Sequence, residues 1–340
     1  IITEGVGGLP TGSLPLTAQL KNSTRYQGFF GFGSSVAGIG DWDGDGIPDL
    51  AVGNMTDDDN GSNRGSMWIL FLDAAGNVKP GGALEINDTH LVSANGGSNV
   101  LGNHDYFGAA VDNIGDVNGD GTDDLIVGVP SDDDGLKNAG AVYILFMQPN
   151  GTMDNFTKIS ATTGVDPANA ADLPLSKHDF FGFSVSEAGD VDGDGTPDVW
   201  VGSYLDSNPD AANNNKNKRG AIYLLCLQND GEVHMWHRID GDPTLYSGDL
   251  AGRLTDDDYF GKGITMMSDY DGDCINSILV GAHREDETQS ELNGSTENEG
   301  AVWMLHLEDA ASASTRMTSS DEFEDAAELN AIEELPTFSN

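Results

Sequence analysis

An all-β fold, a β-propeller of four-stranded antiparallel blades, is what three features of this 340-residue chain predict. An acidic loop followed by an apolar run occurs four times: DWDGDGIPDLAVG from Asp41, DVNGDGTDDLIVG from Asp116, DVDGDGTPDVWVG from Asp190 and DYDGDCINSILVG from Asp269. The returns are about 75 residues apart, too far for a solenoid turn, so each unit holds several strands and long loops. Within each unit the apolar runs give way to a more polar one, the gradient expected of a blade whose inner strands are sandwiched and whose outer edge meets water. A linear β-array is the alternative architecture.

Residues 1–27 hold a Gly-rich loop and one short apolar stretch, LPLTAQL, read as the end of a preceding blade and a linker. Each unit then opens on an aromatic and a glycine, in GFFGFGSSVAGIG from Gly28, DYFGAAVDNIG from Asp105, DFFGFSVSEAG from Asp179 and DYFGKGITMMS from Asp258. That pairing implies an aromatic plug beside a backbone that passes close to a neighbour. The run after each acidic loop (LAVGN, LIVGVP, VWVGSY, ILVGAH) is the second strand, and the third starts at Gly65, Gly140, Gly220 and Gly300. Such uninterrupted β-branched, aromatic and Leu runs fit strands buried on both faces. The fourth is polar: NFTKIS from Asn155, MWHRID from Met235 and, in the last unit, STRMTS near Ser314. Blades are thus expected at about 28–103, 104–177, 178–257 and 258–320, followed by an acidic tail over 321–340. Phe323, Ala327, Ile332 and Leu335 fall at roughly helical spacing in that tail and are expected to cover part of an exposed blade face.

The acidic loops follow D-x-[DN]-x-D-G-x-x-D, in which alternate side chains of a tightly curled backbone point inward and Gly takes the turn. The first site would use the side chains of Asp41, Asp43, Asp45 and Asp49 with the Ile47 carbonyl. The second would use Asp116, Asn118, Asp120 and Asp124 with the Thr122 carbonyl, and the third Asp190, Asp192, Asp194 and Asp198 with the Thr196 carbonyl. Oxygen-only donors on a flexible loop suit Ca²⁺ better than Mg²⁺ and exclude Zn²⁺. An EF-hand needs a bidentate Glu at the twelfth position, where this chain has Val52, Val127 and Val201. The fourth loop keeps Asp269, Asp271 and Asp273 but has Cys274 at the turn and Ser277 at the last carboxylate position, so only weak binding is expected there.

Fifty-seven acidic against fifteen basic residues give a formal charge of -42, which disfavours nucleic acid and anionic membranes and attracts divalent cations. No apolar run is long enough for a membrane helix. Cys226 and Cys274 read as isolated thiols. Sequons at Asn22, Asn54, Asn60, Asn87, Asn150, Asn155 and Asn293, mostly in segments read as loops, are candidate glycan acceptors. The seven histidines are scattered and no catalytic constellation emerges, so a non-enzyme is expected.

The Phe-Gly opening, the acidic loop and the Gly-Ala strand start, recurring in fixed order over residues 28–308, resemble the FG-GAP repeats of the integrin α-subunit head. The resemblance implies a seven-bladed type of propeller, of which four full blades are visible, making this chain part of a larger ring. It also implies protein ligands bound on the face opposite the calcium loops. There the connections Met55 to Arg64, Ser131 to Asn138, Leu205 to Arg219 and Arg284 to Glu299 emerge, and exposed loops on a rigid scaffold are where binding residues concentrate. The expectation is an extracellular or cell-surface recognition module for a protein or glycan ligand, stabilised by three calcium ions. An accessory propeller of a larger secreted hydrolase, like that of some phospholipases, and a structural spacer are the alternatives.

Overall fold

In the computed structural model, residues 31–59, 61–94, 96–97, 100–168, 170–207, 218–240, 254–268, 276–284, 300–306 and 331–332 are described. They form four four-stranded sheets, each made of strands consecutive in the chain. The first blade contains β1 (Val36–Gly40), β2 (Asp49–Asn54), β3 (Ser66–Leu72) and β4 (Val78–Asn87). The second has β5 (Ala110–Gly115), β6 (Asp124–Val129), β7 (Ala141–Met147) and β8 (Met153–Ile159). The third has β9 (Ser184–Gly189), β10 (Asp198–Ser203), β11 (Ala221–Leu227) and β12 (Val233–Ile239). The fourth has β13 (Phe260–Met267), β14 (Ser277–Ala282), β15 (Ala301–His306) and β16 (Ala331–Ile332). The arrangement is a four-bladed β-propeller, with every pairing antiparallel except that of β15 with β16.

The predicted burial gradient is present. Every residue of β6 and β7 is buried, whereas β8 is largely half-buried or exposed. Alternation then divides each inner strand between two neighbours. Met67, Ile69 and Phe71 pack with Leu125, Val127, Tyr143 and Leu145 between blades one and two. Ile126, Val142, Ile144 and Phe146 pack with Val199, Val201, Tyr223 and Leu225 between blades two and three. Trp200, Ile222, Leu224 and Cys226 meet Ile278, Val280, Trp303 and Leu305 between blades three and four. Cys226 is a free thiol inside that last layer. The exposed large hydrophobics among the described residues are Val36 (58%) and Val302 (54%), on the outward faces of the first and last blades.

The Phe-Gly pairs explain how the blades come so close. Phe107, Phe181 and Phe260 are fully buried, and their backbones form parallel bridges to Gly65, Gly140 and Gly220 of the preceding blade. Each Phe amide also donates across the boundary, Phe107 to the Arg64 carbonyl at 2.9 Å, Phe181 to that of Ala139 at 2.9 Å and Phe260 to that of Arg219 at 2.7 Å. The following glycine lies over the second-strand glycine of the same neighbour. A Cβ on Gly53 would stand 2.0 Å from the Gly108 oxygen, one on Gly128 2.0 Å from that of Gly182, and one on Gly202 2.1 Å from that of Gly261. The aromatic ring fills its own blade, Phe107 edge-on to Tyr143 at 5.8 Å and Phe181 edge-on to Tyr223 at 5.3 Å.

Some expectations need correction or fall elsewhere. A short helix, α1 (Asp88–Ala94), links β4 to the second blade, with the Asn87 side chain accepting from the Thr89 amide at 3.0 Å as its cap. Asn54 and Asn87, two of the candidate glycan acceptors, end β2 and β4 and are buried, so neither is a glycan acceptor in the folded chain. LPLTAQL, STRMTS and most of 321–340 lie outside the described residues. Ile332 belongs to β16 and not to a helical stripe, because the edge of β15 offers backbone donors and acceptors to an extended partner.

Gly128→Ala is expected to cost about 3 kcal/mol or more, since its Cβ meets backbone that no side-chain rotation can clear. Gly119→Ala, where space is open and only a φ of +74° opposes the change, is expected to cost about 1 kcal/mol. Chemical denaturation of the two variants checks the ordering.

Candidate metal centres

The connections from β1 to β2, β5 to β6 and β9 to β10 curl around their first aspartate. Asp41 accepts from the amides of Asp45 (2.9 Å) and Gly46 (2.7 Å), and Asp116 from those of Asp120 (2.9 Å) and Gly121 (2.8 Å). Asp190 does the same with Gly193 (2.8 Å) and Gly195 (3.0 Å). The fifth-position carboxylates, Asp45, Asp120 and Asp194, take the amides of Ile47, Thr122 and Thr196, which tightens the curl further. Asn118 donates to Asp120 at 3.2 Å in the second loop.

The last aspartate of each loop anchors it to the sheet. Asp49 accepts from the amides of Trp42 (3.1 Å) and Leu72 (2.8 Å), joining the loop to the end of β3. Asp124 joins Val117 (3.0 Å) to Met147 (3.0 Å), and Asp198 joins Val191 (2.8 Å) to Leu227 (3.0 Å). All three carboxylates are buried. That burial pushes Asp124 up to about 6 and Asp198 to about 7, against the backbone donors that oppose it. In the fourth blade Ser277 is buried at the equivalent start of β14, while Asp269, Asp271 and Asp273 lie outside the described residues.

Two of these loops gather carboxylates that could hold a hard cation. Carboxylate oxygens of Asp41, Asp43 and Asp45 lie within 4.8 Å of one another, as do those of Asp190, Asp192 and Asp198. A cationic group already sits on the first set: Lys79 Nζ is 2.5 Å from Asp43 Oδ2 and 2.6 Å from Asp45 Oδ2. His234 Nε2 lies 2.9 Å from Asp192 Oδ2 in the third loop. Both side chains come from the fourth strand.

On the opposite face, the β2–β3, β6–β7 and β10–β11 connections begin with an aspartate that the sequence reading treated only as loop. Asp57, Asp132 and Asp206 are buried, and their carbonyls accept from the amides of Gly65, Gly140 and Gly220. In two blades a fourth-strand cation answers the charge. Lys158 Nζ is 2.9 Å from Asp132, and Arg238 Nη2 is 2.8 Å from Asp206, which also accepts from Tyr223 at 2.6 Å. The first blade has Glu85 at this register, opposite Trp68 as Lys158 is opposite Tyr143 and Arg238 opposite Tyr223. Asp57, Asp59 and Glu85 therefore crowd three carboxylates within 4.8 Å. Burial and the neighbouring negative charge push Glu85 up to about 7, and burial raises Asp57 as well. The signal was present in the first three repeats: Asp four residues after the second-strand Gly, and Glu85-Ile86, Lys158-Ile159 and Arg238-Ile239 on the fourth strand.

Comparison with known proteins bears on these features together. The family described as FG-GAP repeat matches residues 107–145, from the inter-blade Phe107 through the second acidic loop to β7. The chain is 34% identical over 175 residues to integrin alpha-PS2 of Drosophila melanogaster, covering 51% of this chain and 11% of that one. It is 30% identical over 179 residues to integrin alpha-6 of Gallus gallus (52% and 14%) and 30% over 257 residues to integrin alpha pat-2 of Caenorhabditis elegans (72% and 17%). The matched region thus spans between 11% and 17% of the length of these relatives.

A folded-state value for Glu85 near 7, above the 4.5 of a free glutamate, means that the native chain holds more protons than the unfolded one between those values. The stability it contributes is present below pH 4.5 and is lost as pH rises through about 7. Glu85→Lys, which recreates the pair of the other blades, is expected to flatten this loss and raise the melting temperature at pH 8 by about 2 °C. Paired thermal scans at pH 5 and pH 8 measure the difference between variant and parent.

Proposed function

We propose that this FG-GAP, integrin-α-like β-propeller is a recognition module of the cell surface or extracellular space, stiffened by calcium on one face and binding a protein or glycan ligand on the other. The chain is not an enzyme: its similarity is to integrin α subunits. The observation that carries the reading is the division between faces. Acidic loops curled around Asp41, Asp116 and Asp190 emerge on one side, and polar connections of unequal length emerge on the other from turns held by buried Asp57, Asp132 and Asp206. A ligand meeting that second face would find loops whose roots are buried and hydrogen-bonded to the start of the third strand.

Calcium is the cation this donor chemistry fits best. Asp41, Asp43, Asp45 and Asp49 with the Ile47 carbonyl, and their counterparts in the second and third loops, supply hard oxygens in number and flexibility suited to its large coordination shell. Bound there, the ion would neutralise part of the -42 charge and hold β1 to β2 at the loop. The fourth loop, with Cys274 and Ser277 in place of the turn glycine and the last aspartate, would hold it weakly.

Two measurements test the proposal. Calcium is expected to raise the melting temperature relative to chelator, each site contributing about 2.7 kcal/mol at 100-fold excess over Kd, with titration finding three strong sites and not four equal ones. No shift would end the calcium reading. For recognition, Asp133→Ala with Lys137→Ala, which removes two exposed side chains of the β6–β7 connection and leaves Asp134, Leu136 and Asn138 to hold the turn, is expected to weaken capture of an extracellular ligand with only a small change in melting temperature. Unchanged capture would make the face a spacer.

A further inference from the structure

In the first and third blades the second residue of the fourth strand reaches the acidic-loop carboxylates. The registers Leu72–Val78, Met147–Met153 and Leu227–Val233 make Lys79, Asp154 and His234 equivalent. Three blades therefore set three different groups at one register position: an ammonium, a carboxylate and an imidazole. Lys79 is engaged at 2.5 and 2.6 Å with Asp43 and Asp45, and His234 lies 2.9 and 3.8 Å from Asp192 and Asp194.

We infer that Lys79 is a tethered counter-ion that competes with the divalent cation for Asp43 and Asp45, so that the first loop binds more weakly than the second, where the same position is Asp154. The inference rests on the calcium reading proposed above. Its physical basis is direct. A cation held by Asp43 and Asp45 must first displace an ammonium from both, so the strength of that ion pair is subtracted from binding. The four-carbon stem lets Lys79 swing into solvent, which makes displacement possible without moving the strand.

The consequence is a graded response. As free cation falls, the first loop releases its ion before the second, and Lys79 returns to screen the bare carboxylates. The first blade thereby depends less on calcium for its stability than the second. The sign of the Lys79 effect must then reverse with conditions, helping the chain without calcium and weakening its uptake of calcium.

The test uses the whole chain, with Ca²⁺ followed by titration calorimetry and by thermal scans in chelator. Lys79→Met is expected to tighten the weakest of the strong sites about tenfold and to lower the melting temperature in chelator. Asp154→Lys, in another blade, is expected to weaken one site about tenfold, which keeps the proposal testable should Lys79→Met fold poorly. Lys262→Met, beside His283 and Tyr204, makes the same change in net charge and is expected to leave the titration unaltered. A Lys79→Met curve that superimposes on the parent, or one that Lys262→Met reproduces, overturns the inference alone. Absence of calcium uptake by parent and variants alike removes the calcium reading and this inference with it.

Discussion

The structure depends on backbone meeting backbone between blades. Phe107–Gly108, Phe181–Gly182 and Phe260–Gly261 each lie across two glycines of the blade before, where a single Cβ would collide with a carbonyl oxygen at 2.0 to 2.1 Å. Apolar packing alone specifies how far apart two sheets stand but tolerates sliding and rotation. The bridge from each Phe to the neighbour's third strand is directional, and with the ring buried in its own blade it ties the relative position of adjacent sheets. The glycines are the motif because the contact leaves no space for any side chain.

This constraint orders both faces. The third strand starts at the glycine that the next blade clamps, and the turn before it is closed by the carbonyl of Asp57, Asp132 or Asp206. At the other end of the same strand, the amides of Leu72, Met147 and Leu227 are held by Asp49, Asp124 and Asp198, which also root the acidic loops. One strand per blade thus sets the geometry of the acidic loop on one face and of the polar connection on the other. At the acidic-loop end one buried carboxylate holds two backbone donors at once, and a charge-assisted bond is stronger than a neutral one.

Much of this was legible in the repeats. The blade order, the polarity gradient and the loop residues followed from periodicity, because four copies of one pattern expose which positions hold constant chemistry. What escaped was carried by registers between strands. That Glu85, Lys158 and Arg238 face the same buried aspartate, or that Lys79 and His234 reach the acidic loops, follows only once the third and fourth strands are aligned. The short α1 was missed because seven residues give too little periodicity to separate a helix from a loop. The burial of Asn54 and Asn87 escaped for a related reason, since a sequon carries no information about burial.

The claim that the Phe-Gly bridges hold neighbouring blades in place is tested most directly by native-state hydrogen exchange at the amides of Phe107, Phe181 and Phe260, whose acceptors all belong to the preceding blade. Amides that break only when blades separate exchange with the free energy of the most protected core, that of β7 and β11. Bridges that hold the blades together give that level of protection at all three. Exchange at the rate of the exposed acidic-loop amides, with β7 and β11 still protected, would mean that the blades stay together without the bridges and would contradict it.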